Sequence, residues 1–245
     1  MEEDSVRKGG YMKSITSSVI IGLGRIRLGM ATFVFLMGIQ TANAQWRLEG
    51  PFNKFSLEMQ TGIDFPLSPD PKSQSLANFI TAPSFKVGVR YMFSDLLGIR
   101  PVYRYNAFRS GNSTSLGIHQ YGVDGILNLA EFLPAGNYRE PRKINVLLHL
   151  GGSHGREVAD DGSGTPERSR IAVGSAGITP QYRLSRNVVL VLDLSGHASV
   201  KQSFGYDGSR GSIDASGWMP NAYYMTGSVG LQVYLGKYAD HMDWK

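Results

Sequence analysis

Three side chains able to do hydrolytic chemistry stand two residues apart in "LDLSGHASV": Asp193, Ser195 and His197. A carboxylate orienting an imidazole that activates a hydroxyl is the arrangement of acyl-transfer catalysis. The stretch alternates apolar and polar residues, so it reads as a β-strand with the three groups on one face. Alternate residues of a strand lie roughly 6–7 Å apart, whereas relay hydrogen bonds need about 3 Å. The spacing alone builds no relay, and the three read as lining residues. His119, His154, Asp160 and Asp161 offer the same residue types without convergent spacing. "DDGSGT" (Asp160–Thr165) lacks the alternating oxygen ligands and terminal Glu of a calcium loop. "GLGRIRLG" (Gly22–Gly29) has no strand–turn–helix context for phosphate binding. The chain has no cysteine, which excludes thiol catalysis and thiolate metal sites. No catalytic residue, cofactor or metal site is expected, and the chain reads as a non-enzyme.

Eight stretches share a period of two. In "KFSLEMQTGID", Phe55, Leu57, Met59 and Ile63 alternate with Ser56, Glu58, Gln60, Gly62 and Asp64. "APSFKVGVRYMF", "LGIRPVYRYNA", "QYGVDGILNL" and "KINVLLHLGG" continue the pattern. "RIAVGSAGITPQYRL" is weaker, and its Pro180 should sit at a strand end or bulge. "VVLVLDLSGHASV" and "YYMTGSVGLQVYL" complete the set. Short turns are expected near Ser94-Asp95 and Ser185-Arg186-Asn187. Long polar loops are expected at about residues 65–81, 154–169 and 200–221. Long and short connections alternate as in outer-membrane barrels. The short link between strands 3 and 4 and the long one near residues 130–143 depart from that rule.

Which face is inside decides the class of protein. The apolar rows read as free of Lys, Arg, Asp and Glu, whereas the outer face of a soluble barrel would be crowded with them. The polar rows are rich in Gly, Ser, Asn, Gln and Thr, which suit the narrow interior of an eight-stranded barrel. An apolar ligand cavity could not be built from them. The apolar rows are therefore expected to face lipid. The inward charges are Glu58, Lys86, Arg90, Arg100, Arg104, Asp124 and Asp193. Unpaired charge in a tight lumen is costly, so these seven are expected to pair as an ionic network that plugs the barrel. A gate or ion path is the sharper alternative.

Composition agrees with this class. A net charge of +5 is too mild to argue for nucleic acid. The mean hydropathy of -0.17 argues against helical membrane proteins but not against barrels, whose strands are half polar. Residues 1–44 read as a signal peptide. Arg25 and Arg27 precede the uncharged run Leu28–Ile39, and Ala42-Asn43-Ala44 predicts cleavage before Gln45. The run is about a dozen residues, where a spanning helix needs roughly 20. The acidic start "MEEDSVRKGGY" leaves Met12 as an alternative initiation site. Cleavage removes five basic and three acidic side chains, leaving about +3.

Short motifs carry a family resemblance. "GVRYMF" (Gly88–Phe93), "ITPQYRLS" (Ile178–Ser185), "VKQ" (Val200–Gln202) with "YDG" (Tyr206–Gly208), and "GSVGLQVYLGK" (Gly227–Lys237) resemble strand signatures of OmpA-like outer-membrane β-barrels of Gram-negative bacteria. The resemblance implies an all-β, eight-stranded antiparallel up-and-down transmembrane barrel over residues 53–237. A short lead (45–52) would precede it and a periplasmic tail (238–245) would follow. It implies the cell outer membrane as location, with outer-membrane lipid and lipopolysaccharide as surroundings. Ser228, Gly230, Val233 and Leu235 fit the last-strand pattern that the barrel-assembly machinery reads in that family. The peptidoglycan-binding domain of many members is not expected in the residues after Lys237, so cell-wall tethering is not carried over. The expected role is structural or interactive, displaying extracellular loops to a partner the sequence does not name. A small channel or outer-membrane enzyme, and a soluble β-barrel binder, are the alternatives.

Overall fold

A computed structural model describes residues 52–68, 83–110, 114–129, 143–160, 166–208, 220–238 and 241–244. The signal region and lead through residue 51 lie outside them, as does most of the link near 130–143. Eight strands run β1 (Phe55–Ser68), β2 (Ser84–Met92), β3 (Leu97–Ser110), β4 (Thr114–Asn128), β5 (Ile144–Asp160), β6 (Glu167–Arg183), β7 (Val188–Val200) and β8 (Pro220–Leu235). Each pairs antiparallel with its sequence neighbours, and β8 returns to β1. The result is a closed eight-stranded antiparallel barrel, which leaves no open sheet edge.

The strands are longer than their alternation alone indicates. Residues 154–160 and 167–169, expected in a loop, extend the β5–β6 hairpin, with Ala159 paired to Glu167. Their side chains switch from apolar to charged, but the backbone ladder continues regardless of side-chain polarity. Pro180 also differs from expectation. It lies inside β6, paired with Val146 on one side. On the other side, pairing skips from Ile178–Leu194 to Gln181–Val191 without a change of register. Proline has no N–H to donate, so the ladder lapses locally and needs no bulge.

Two turns close one end of the barrel, here termed the turn end, by the same device. Ser94 Oγ accepts from the N–H groups of Leu96 and Leu97 at 3.3 and 3.1 Å. Ser185 Oγ accepts from Asn187 and Val188 at 3.3 and 3.1 Å. A serine hydroxyl thus supplies the acceptor that a tight turn needs. The opposite end, where β1–β2, β5–β6 and β7–β8 are joined through segments outside the described residues, is the loop end.

The apolar rows face outward all round. Phe55, Met59, Leu150, Leu194 and Leu231 are among the exposed large side chains, Leu150 by 65%. Aromatic residues pack on this wall. Phe55 packs on Tyr91 and Tyr91 on Phe93 near the turn end, and Tyr103 packs on Tyr121 midway along β3 and β4. The interior is the reverse of a soluble core. Arg90, Arg100, Asp124 and Glu58 are buried.

Candidate functional site

The lumen is filled in three layers. Toward the loop end, Phe108, Leu116, Ile118, Ile171, Val173, Phe204, Tyr206 and Tyr224 form an apolar cluster. Phe204 and Tyr206 come from residues 201–208, which fold back into the mouth. Ser203 N donates to Glu157 Oε2 at 3.0 Å, and Gln202 N to Asn221 Oδ1 at 3.1 Å. Left-handed φ angles at Lys201 (61°) and Gly208 (80°) reverse the chain at both ends of this segment. Tyr206 lies face-tilted on Phe108, with centroids 4.6 Å apart. Burial pushes its hydroxyl above the ordinary tyrosine range.

The middle layer holds the charges. Arg100 donates to Glu58 and to Asp124, at 2.8 Å each. Arg104 reaches the same Asp124 at 2.5 Å. Lys86 lies 3.0 Å from Asp193 and 3.8 Å from Glu58. The structure therefore joins six of the seven singled-out residues, three cations against three anions, into one chain of contacts. The alternation of strands makes this possible, because all six occupy inward positions of β1, β2, β3, β4 and β7. A glycine makes room. A Cβ at Gly151 would lie 2.1 Å from Asp124 Oδ1, so a side chain there would displace the carboxylate.

Arg90 corrects the expected grouping. It faces inward with the others but pairs with Asp243, beyond the last strand. Met242–Trp244 form a single helical turn that folds into the turn end. Tyr234 OH donates to Asp243 Oδ2 at 3.0 Å, and Trp244 Nε1 donates to Tyr234 OH at 2.6 Å. Met242 packs against Met92, Ile126 and Leu147. Burial works against the Asp243 carboxylate, yet Arg90 and His241 outweigh it and hold Asp243 below the usual carboxylate range. Nothing in the spacing of "DHMDWK" signals this contact, because it joins positions 153 residues apart.

The Asp193-Ser195-His197 trio is rearranged. Ser195 Oγ hydrogen-bonds Asp193 directly, against the expectation from strand rise, because adjacent inward side chains on one strand lean together. His197 instead stacks on Tyr224, with centroids 4.4 Å apart. His149, on β5 and separated from β7 only by Gly177 of β6, comes within 3.3 Å of Ser195 Oγ and 3.2 Å of Asp193. Sequence reasoning missed His149 as a member of this cluster. Its inward parity in β5, shared with Asn145, was the available signal. Asp193 also accepts from Thr179 at 2.7 Å and faces Lys86, so its lone pairs are occupied. The cavity beside Lys86, Asp193, Ser195 and His197 measures about 20 Å³, room for roughly one water. An acyl substrate could not reach the serine.

His119 and His154 face outward on β4 and β5, with Tyr103 OH 2.9 Å from His119 Nδ1. Asp160 ends β5, and Asp161 lies outside the described residues. His119 and His154 line one outer concavity, and Asp160 is not part of its lining. The outward rows also differ from their sequence reading. Arg156, Arg168 and Arg170 share the outward parity of β5 and β6 and are exposed. The extra strand length at the loop end turns Arg156 and Arg168, expected in a loop, into wall residues, whereas Arg170 already opened the sixth alternating stretch.

No protein-family model and no curated protein matches the chain. Solved structures do. Neisserial surface protein A is similar at 14% identity and a TM-score of 0.48, over 74% of this chain and 97% of that one. Ail, the attachment invasion locus protein of Yersinia pestis, is similar at 12% and 0.46, over 75% and 99%. The N-terminal β-barrel domain of Pseudomonas aeruginosa OprF is similar at 11% and 0.44, over 75% and 99%. The likeness is one of architecture; the barrel itself rests on its strand pairing, and the role must come from the side chains.

Proposed function

We propose that the protein is an integral outer-membrane barrel of the OmpA-like kind, with a structural or interaction role and a closed, ion-paired lumen. The supporting observation is the inversion of faces. Large apolar side chains are exposed on the outer wall of β1, β2 and β4 to β8, while Arg90, Arg100, Arg104, Lys86, Glu58, Asp124 and Asp193 are buried within. In water this arrangement would leave an apolar surface far larger than the few hundred Å² that soluble monomers tolerate. In a bilayer it satisfies both phases, since a closed barrel pairs its backbone polar groups and turns its apolar rows to lipid.

In this reading the turn end faces the periplasm and the loop end faces outward, displaying the connections toward a partner. Residues 1–44 direct export and are cleaved before Gln45. The barrel-assembly machinery inserts the chain through its last strand, and lipopolysaccharide surrounds the finished wall. The filled lumen supports structure and display over transport, and its enclosed Asp193-Ser195-His149 cluster supports a non-enzyme.

Membrane fractionation combined with heat-modifiability on a gel tests the reading. Recovery in the outer-membrane fraction, with a compact unheated band that shifts on boiling, is the expected result. Recovery in the soluble fraction would overturn it, and N-terminal sequencing of the same material checks for Gln45 at the mature terminus.

A further inference from the structure

Among the described residues, charge at outward positions gathers toward the loop end of β3, β5 and β6, at Arg109, Arg156, Asp160, Arg168 and Arg170. Arg156 and Arg170 are direct partners across the β5–β6 ladder, and Arg168 stands opposite Val158 in the same hairpin. On the other side of β5, His119 is the partner of Arg156 and Tyr121 the partner of His154. These residues line one shallow concavity of about 630 Å³ on the outer wall. The remaining outward rows of β1, β2, β7 and β8 carry no charged side chain among the described residues.

Like charges directly opposite in a sheet repel one another, and a cation on the lipid-facing wall is costly at mid-membrane. Arg156 and Arg170 escape the second cost by height. Below Arg156 on β5 the outward row is Ile144, Val146, Leu148, Leu150, Gly152 and His154, twelve residues of rise, or roughly 40 Å of strand and about 30 Å of height once tilted. That height approximates the apolar band of a membrane barrel, so the arginines stand at its upper edge, with Arg156 in the ladder row of His119 and Tyr105. The first cost remains. Among the described residues no carboxylate pairs with Arg156, Arg168 or Arg170.

We infer that this patch binds a phosphorylated lipid headgroup of the surrounding leaflet. The inference rests on the membrane reading above. Guanidinium groups match phosphate oxygens with paired N–H donors, and an anion between Arg156 and Arg170 converts their repulsion into a bridge. Tyr105 in the row of Arg156 and Tyr121 in the row below present polar tips suited to the sugar or glycerol hydroxyls of a headgroup. The acyl chains of such a lipid lie along the apolar row directly beneath. A protein partner would not explain why the patch ends where the apolar wall begins.

The test uses the full chain folded into phosphatidylcholine vesicles doped with a fluorescent bis-phosphorylated lipid A, with its dephosphorylated form as the second arm and inorganic phosphate as a soluble competitor. The phosphorylated lipid should bind at least about tenfold more tightly than the dephosphorylated one. R156Q/R170Q should lose that preference, R156K/R170K should keep part of it, and R186Q in a turn at the other end should leave it unchanged. Equal binding of both lipids, or an unaltered preference in R156Q/R170Q, would overturn the proposal. Displacement by millimolar inorganic phosphate would overturn the lipid as the source of the anion. Failure of the unmutated chain to enter vesicles with a heat-modifiable band would overturn the membrane reading and the site with it, whereas insertion without preference would overturn the site alone.

Discussion

Arg100 holds the middle of the lumen, and its replacement by Met measures what the ionic layer contributes. The side chain is buried, and it contacts Glu58 and Asp124 at 2.8 Å each. Removing it turns a cluster of three cations and three anions into one with an excess buried negative charge. Asp124 keeps Arg104 at 2.5 Å, but Glu58 keeps only the neutral Gln60 amide and, as a charged partner, the distant Lys86 at 3.8 Å. Breaking one partner of a buried network typically costs about 3–5 kcal/mol, and the poorly compensated Glu58 puts R100M in that range. Adding Glu58→Gln restores charge balance, with Lys86 and Arg104 against Asp124 and Asp193. R100M/E58Q should therefore be more stable than R100M, although it carries one more substitution. Urea unfolding of protein refolded into detergent micelles, followed by the heat-modifiable gel band, reads both values. Additive losses in the double variant, or R100M within about 0.5 kcal/mol of the parent as surface changes usually are, would refute the claim that these groups are electrostatically coupled.

Three further outcomes are expected. Leu150→Arg places a cation on the outer wall below the aromatic level and should cost about 2–4 kcal/mol, whereas Arg186→Gln in the Ser185 turn should be nearly silent in the same unfolding assay. Asp243→Asn should destabilise the turn end by about 3 kcal/mol, the low end for a buried pair because a released tail lets water reach Arg90. The folded Asp243 carboxyl is depressed, so its stabilisation is complete above the ordinary aspartate value of about 4 and is lost as pH falls further toward the folded value. Amide exchange at Met242, whose N–H donates to Asn53 O at 3.1 Å, should be unchanged between pH 8 and about 5 and accelerate, after correction for intrinsic rates, below about 4. In planar bilayers the unmutated protein should show low or intermittent conductance, since buried charged, polar and aromatic side chains fill its lumen; large steady currents would contradict the plug.

The barrel was legible because period two is the strongest signal a strand emits, and every strand repeats it. The inward side of Glu58, Lys86, Arg100, Arg104, Asp124 and Asp193 was legible for the same reason, since parity alone sends all six there. Partner choice was not. Arg90 has the same parity, but its height in the barrel, near the turn end, puts it beside Asp243 rather than Glu58, and height depends on stagger between strands. The strand ends of β5 and β6 were hidden because polar wall residues above a bilayer look like loop residues. His149 was passed over because its neighbour Leu147 is also inward, which blurs the alternation there.

The central claim is that the apolar rows contact lipid. The absence of native cysteine allows a single spin label at each of Leu192, Leu194, Met225 and Leu231 in turn, with Ser185 as a turn control. In vesicles, collisions with oxygen should exceed those with a water-soluble nickel chelate at the four strand positions and reverse at Ser185. Nickel accessibility at the strand positions equal to that at Ser185 would show that these rows face water and would contradict the account.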